Sequence, residues 1–261
     1  MTISRELVTV VIPIHLEEPP ELEKISLAQT LKVLNKYPIT FQAPYGLNTS
    51  WYENYCEGKA EIHIERFNWK GFVAYSLLQA DPKFYERFLK YQYMLICHLD
   101  AFVFRDELEE WCHKGYDYIG SIIYDPNFIL KNNFLRKLTG FTSPEYFGNG
   151  GFGLKNVHTF YRLTSKYKLY IDAYVRLGKL RRRPFFDDLF FTQHFPKLSS
   201  SFSIAPLKLA QKFGAVYFNY NEKDLPFNNQ ENESLPFGVH GWIQYHRDYW
   251  KPCIRRYGYE I

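Results

Sequence analysis

Four short stretches of this chain carry side chains that could do chemistry. Asp100 closes the apolar run Tyr91-Gln-Tyr-Met-Leu-Ile-Cys-His-Leu-Asp100. In an open α/β sheet the crevice beyond the carboxyl ends of the strands binds ligands, so an acid delivered there is placed for a metal or a sugar, the alternative being an Asp that caps a turn. Phe185-Phe-Asp187-Asp188-Leu-Phe-Phe sets two adjacent carboxylates among four phenylalanines. A helix cap accounts for one of them, and two carboxylates sharing a site would raise one another's pKa. Gly148-Asn149-Gly150-Gly151-Phe-Gly has neither the spacing of a dinucleotide fingerprint nor the Lys-Ser/Thr of a P-loop, which leaves close approach of backbone to a ligand, or a plain tight turn. His240 sits between glycines beside aromatics in Phe237-Gly-Val-His240-Gly-Trp242, where a structural histidine is the ordinary reading.

The elements that would position these residues follow from hydrophobic periodicity. Leu7–Ile14 is rich in β-branched residues and reads as a buried first strand, whose following loop from His15 lines the crevice. Glu21–Tyr37 repeats apolar residues at a near-helical step and is stopped by Pro38. Short strands over 39–43 and 61–67 follow, then two short helices within Phe72–Leu89 broken at Asp81-Pro82, then the strand that ends at Asp100. Ala101–Phe104 is a further short strand, Asp106 caps a helix, and Tyr116–Ile123 is another strand. Asp125–Ser143 lacks periodicity and reads as a functional loop. Val157–Leu177 reads as one long helix, a helix opens near Asp187 and stops at Pro196, 201–214 holds a short strand and helix, and Asn219–Ser234 is loop-like. The order β-α-β-β-α-β predicts an α/β fold of Rossmann-like kind, with a mixed, mostly parallel central sheet flanked by helices.

With 261 residues, 23% charged and 19% aromatic, the chain suits one domain whose ring faces could stack on sugars. A net charge of +4 is compatible with a phosphorylated ligand or an anionic membrane and too weak to argue for nucleic acid. Cys56, Cys97, Cys112 and Cys253 have no metal-site spacing and two lie in apolar runs, which points to a reducing, cytoplasmic setting. No stretch has the length of a membrane span, so the expected protein is soluble. The basic run Lys179-Leu-Arg181-Arg-Arg183 reads as a solvated face, with docking on the inner face of an anionic membrane or phosphate binding as alternatives.

Taken in order, Asp100, Gly148-Asn-Gly-Gly-Phe, Asp187-Asp188-Leu-Phe-Phe and Pro236-Phe-Gly-Val-His240-Gly-Trp resemble a family of glycosyltransferase-like bacterial and viral proteins of the GT-A type, over about Phe72–Trp250. More remotely the order is similar to inverting enzymes of the fringe and β-1,3-galactosyltransferase group. The resemblance implies a single domain spanning 1–261, with a nucleotide-sugar half (1–105) and an acceptor half (106–261). It implies Pro13, His15, Asp100, Asn149, Gly150 and Gly151 as donor-binding residues, Asp100 and His240 as ligands of Mn²⁺ or Mg²⁺, and Asp188 as general base, with Asp187 capping its helix or binding the acceptor. His98-Leu-Asp100-Ala-Phe102 stands where such enzymes carry Asp-x-Asp, with Phe102 in the place of the second acid. That departure leaves open a metal-independent enzyme in which Arg181–Arg183 neutralise charge. The chemistry asks for such groups: a departing nucleoside diphosphate needs its charge neutralised and an attacking hydroxyl needs a base. The implied partners are a nucleotide-sugar donor and a glycan or lipid-linked acceptor in surface polysaccharide or glycan synthesis, with peripheral membrane contact open. A non-catalytic carbohydrate-binding domain is the other reading, and single-stranded nucleic-acid binding ranks last because the basic residues do not alternate with aromatics.

Overall fold

The structure, a computed structural model, describes residues 6–124, 148–217 and 235–261. The loop expected over Asp125–Ser143 and the polar stretch Asn219–Ser234 lie outside the described residues. In chain order the elements are β1 (Glu6–Pro13), α1 (Glu21–Leu34), β2 (Ile39–Pro44), α2 (Ser50–Cys56), β3 (Ile62–Phe67), α3 (Gly71–Gln79), α4 (Pro82–Glu86), β4 (Tyr91–Cys97), β5 (Ala101–Val103) and α5 (Leu108–His113). There follow β6 (Tyr118–Tyr124), β7 (Gly148–Asn156), α6 (Val157–Lys166), α7 (Lys168–Leu180), α8 (Asp187–Leu198), α9 (Leu207–Phe213), β8 (Gly214–Tyr217), β9 (Gly238–His240) and α10 (Arg247–Arg256).

The strands form one sheet in the order β3-β2-β1-β4-β7-β6-β8-β9-β5. Pairing is parallel along β3-β2-β1-β4 and along β6-β8-β9, and antiparallel where β7 lies between β4 and β6 and where β5 meets β9. The expected mixed, mostly parallel sheet is what forms.

Period-two alternation sends β1 and β4 side chains into two cores. Val8, Val10, Ile12, Tyr93 and Leu95 face one layer with α1, α2, α5, α9 and α10, while Val11, Met94 and Ile96 face the other with α3, α4, α6 and α8. Burial on both faces is why these strands read as unbroken apolar runs. All four cysteines are free and buried. No helix among the described residues is long and apolar enough to cross a membrane.

Three local readings change. The segment read as one helix over Val157–Leu177 is two, divided at Tyr167, whose φ of −106° and ψ of 20° leave the helical range. Pro196 does not stop α8, because it falls in the last turn, and the helix runs to Leu198. The helix after Asp106 starts at Leu108; Asp106 Oδ1 accepts a bond from the Leu108 amide at 3.3 Å and Asp106 Oδ2 pairs with Lys36 at 2.7 Å, tying α5 to the end of α1.

Candidate active site

The site forms where β4 ends. Beyond Cys97 the chain turns through His98-Leu99-Asp100 into β5, and β5 pairs with β9 so that Ala101 stands opposite His240. That pairing brings Asp100 to His240 across 140 positions of sequence, with Asp100 Oδ1 3.1 Å from His240 Nε2. The Gly241 amide donates to the Asp100 carbonyl at 2.9 Å and fixes the turn that carries the histidine.

A third group joins them. One ligand atom each from His98, Asp100 and His240 lies within 4.8 Å of the others. The Asp-x-Asp register read from the sequence is therefore displaced by two residues: the partner of Asp100 is His98 upstream, and Phe102 is fully buried against Trp242, Tyr257 and Tyr259. β5 is buried along its whole length, and Phe102 is taken up by the core that it packs into.

Two nitrogens and a carboxylate suit a divalent first-row cation such as Mn²⁺. Both ring nitrogens of His240 are buried without a hydrogen-bond partner, and the close approach to Asp100 lies outside hydrogen-bond alignment, as expected of side chains that converge on a common point. His98 Nε2 is 2.9 Å from the Tyr75 hydroxyl, which orients the ring. Burial first, and His240 second, lower the His98 pKa to about 4, so the imidazole is neutral and free to ligate. Burial opposes ionisation of Asp100, but His240 and His98 hold its carboxyl down at about 2. These residues fit a cation.

Beside them opens a cleft of about 280 Å³ whose lining includes Pro13, His15, Glu23, Trp69, Tyr75 and Gln244 together with His98 and Asp100. Pro13, the last residue of β1, and His15 just beyond the strand both line it. Glu23 was not singled out in the sequence, because a lone acid in the first turn of α1 looks like a solvated dipole partner; here burial and Asp100 raise its pKa.

The glycine segment packs against His98 and His240. Gly120 pairs with Gly153 and Ser121 with Asn149, so residues 150–152 bulge from β7. A Cβ on Gly151 would sit 2.1 Å from His240 Nε2, so glycine at this position is what admits the imidazole. The Gly151 carbonyl accepts the His98 amide at 2.8 Å. Neighbouring Gly150 donates its amide to Asp188 Oδ2 at 3.3 Å. Asn149 accepts from the Gly151 amide at 2.8 Å and donates to Asp188 Oδ2 at 3.4 Å.

The two acids divide by environment. Asp188 accepts bonds from the Gly150 and Leu189 amides and Asn149, which support its charge against the burial that raises its pKa. Asp187 does not cap α8, whose first turn has no side-chain cap. It points inside, with Oδ2 4.0 Å from the Nζ of Lys155, a fully buried cation on β7. Burial, then Asp188, push the Asp187 pKa up to about 7, and burial lowers that of Lys155 to about 8. Lys155 donates to Gln79 Oε1 at 2.9 Å and lies against Tyr85, Phe160 and Phe191. Arg181 and Arg183 line a separate hollow with Tyr174 and Phe185 and do not reach the cleft. Among the described residues no Lys or Arg lines the cleft.

Residues 61–240 match the protein family described as "Protein of unknown function (DUF5672)". The chain belongs to this family. No curated protein matches the sequence. Among solved structures, galactosyltransferase LgtC in complex with donor and acceptor sugar analogues is similar at a TM-score of 0.62 and 15% identity, over 96% of this chain and 94% of that one. Mouse xyloside xylosyltransferase 1 is similar at 0.57 and 10% identity, over 91% and 97%. The glycosyltransferase GlyE of Streptococcus pneumoniae is similar at 0.51 and 12% identity, over 97% of this chain and 64% of that one. At these identities the likeness is one of fold, and the fold is the GT-A glycosyltransferase type.

Proposed function

We propose that this protein is a nucleotide-sugar-dependent glycosyltransferase that moves a hexosyl group to a hydroxyl of a glycan or lipid-linked acceptor, in the building of a surface polysaccharide or glycan. The observation that carries the reading is the convergence of His98, Asp100 and His240 at the carboxyl end of β4, beside a cleft and one glycine away from the supported carboxylate of Asp188.

In this reading residues 1–105 supply most of the donor cleft, with His240 and Gln244 added from the acceptor half. Pro13 and His15 meet the nucleoside and His98, Asp100 and His240 hold Mn²⁺ or Mg²⁺. When bound, the cation neutralises the charge that grows on the leaving diphosphate. Gly150 and Gly151 let the sugar approach the backbone. Asp188 takes the proton of the attacking hydroxyl, and its hydrogen bonds keep it the more acidic of the pair, with Asp187 and Lys155 buried behind it. One base opposite one leaving group performs a single displacement, which inverts the anomeric carbon.

The test is a thermal-shift screen of UDP-, GDP-, CMP- and dTDP-sugars with and without Mn²⁺, followed by assay of nucleoside diphosphate release from any donor that stabilises. Mn²⁺-dependent stabilisation with release supports the transferase. Stabilisation by free saccharides, with no release from any donor, makes the protein a carbohydrate-binding domain instead.

A further inference from the structure

We infer that α7 and the arginine turn after it form a docking surface for an anionic lipid bilayer. This goes beyond the transferase reading and does not depend on it.

The helix is apolar on its outer face. Ile171 is the one fully buried side chain of α7, while Leu169 and Leu180 are 85% and 83% exposed and Leu177 is 45% exposed. Leu169, Ala173, Leu177 and Leu180 recur at steps of four, four and three, which places them on one stripe, and all four are exposed. Aliphatic residues along the solvent side of a helix invert the usual pattern of a surface helix.

Charge names the occupant. From Lys166 to Arg183 there are seven basic residues (Lys166, Lys168, Arg176, Lys179, Arg181, Arg182, Arg183) and one acid, Asp172, so the segment carries +6. The chain as a whole carries +4, which leaves the remainder at −2. The positive excess of the protein is therefore concentrated on this one segment. The single acid is paired with Lys168 at 2.5 Å. Leucines ringed by cations match the acyl boundary and headgroups of an anionic leaflet. Nucleic acid would be met by aromatic faces at the outermost positions, where this helix has leucines.

The surface is held in shape. Tyr170 bonds His194 at 2.8 Å, and the Tyr174 ring packs 5.1 Å from Phe190 on α8. At the end of α7 the Arg183 amide donates to the Gly178 carbonyl at 2.8 Å and the Arg182 amide to the Lys179 carbonyl at 3.0 Å, closing a Schellman turn. Its left-handed position, φ 53°, is filled by Arg182 where glycine is the usual residue. Beyond the turn Phe186 packs 5.5 Å from Phe72, and both are exposed. Phe72 also lines the donor cleft, so a docked α7 would bring the mouth of the cleft to the lipid surface.

Co-sedimentation of the full chain with vesicles tests this. The protein should partition onto vesicles of equal parts phosphatidylglycerol and phosphatidylcholine, weakly onto phosphatidylcholine alone, and less as salt rises. Each basic residue near an anionic surface strengthens partitioning about fivefold, so R181Q/R182Q/R183Q should weaken it about 100-fold. L169S/L180S should weaken it by roughly tenfold or more, with unchanged melting temperature and unchanged donor hydrolysis. Wild type that stays in solution, or either variant binding as wild type does, overturns the proposal. So does a wild-type dimer that L169S/L180S dissociates without any vesicle binding, or an RNA affinity lost in the arginine variant while vesicles are ignored.

Discussion

Replacing Lys155 by methionine removes a buried cation and keeps most of its stem. Lys155 Nζ lies 4.0 Å from Asp187 Oδ2, and at an effective dielectric of about 20 a unit pair at that distance interacts by 332/(20 × 4.0), about 4 kcal/mol. Losses on breaking buried ion pairs, about 3–5 kcal/mol, are of the same size. The cost should depend on pH. Asp187 has its folded-state pKa lifted to about 7, so its contribution to stability is fully present below about pH 4 and is lost as pH rises through about 7. Lys155 opposes that rise, and without it the buried carboxylate becomes still harder to ionise. Thermal melts of K155M should therefore fall by roughly 10 °C at about pH 7.5, where the carboxylate is ionised and the lysine still charged, and by less than half of that at about pH 5, where Asp187 is protonated with or without the lysine. The double variant K155M/D187N should recover most of the loss at the higher pH. Equal losses at both pH values, or a double variant no better than the single one, would refute the electrostatic argument. Lys155 would then act by packing against Phe160 and Phe191.

Substituting Asp188 by asparagine keeps its shape and removes its basicity, so turnover should drop about 10²–10⁴-fold with donor affinity nearly constant, and NMR of the wild-type product should show inversion; retention, or ordinary activity in D188N, removes Asp188 from that role. For G151A, whose added Cβ would meet His240 Nε2 at 2.1 Å, calorimetry should record at least about tenfold weaker Mn²⁺ binding with a near-native melting temperature. Unchanged metal affinity would show that His240 does not ligate. D100A should abolish the Mn²⁺-dependent part of stabilisation by nucleoside diphosphate, and an unaltered response would take Asp100 out of the metal site. F102D supplies the acid that an Asp-x-Asp register would want, yet it places a carboxylate among Trp242, Tyr257 and Tyr259. It should cost about 3 kcal/mol or more without tightening Mn²⁺ binding, and a gain in Mn²⁺ affinity would restore the original register.

The fold was largely legible because its strands are buried on both faces and its helix breaks coincide with Pro38 and Asp81-Pro82. The division at Tyr167 was not, since neither glycine nor proline marks it. In the site, Asp100, His240 and the glycine segment could be singled out by residue type. That Asp100 meets His240 follows from β5 pairing β9, a long-range contact that no local pattern encodes. His98 is not legible from residue type, because an imidazole stands two positions before Asp100 where the motif would have a carboxylate. Lys155 looks in sequence like an ordinary polar residue of a strand, and only the packing of α3, α4, α6 and α8 around it shows a buried cation. Asp187, expected to cap its helix or bind the acceptor, turns inward for the same reason: its partner is 32 residues away.

A crystal soaked with Mn²⁺ and a nucleoside diphosphate, with data collected for the anomalous signal of manganese, tests the central claim most directly. The account predicts one strong peak about 2.0–2.3 Å from an atom of each of His98, Asp100 and His240, with the diphosphate on its open side in the cleft beside Pro13 and His15. A diphosphate held at Arg181–Arg183 with no manganese at the three residues, or a peak elsewhere, would contradict it.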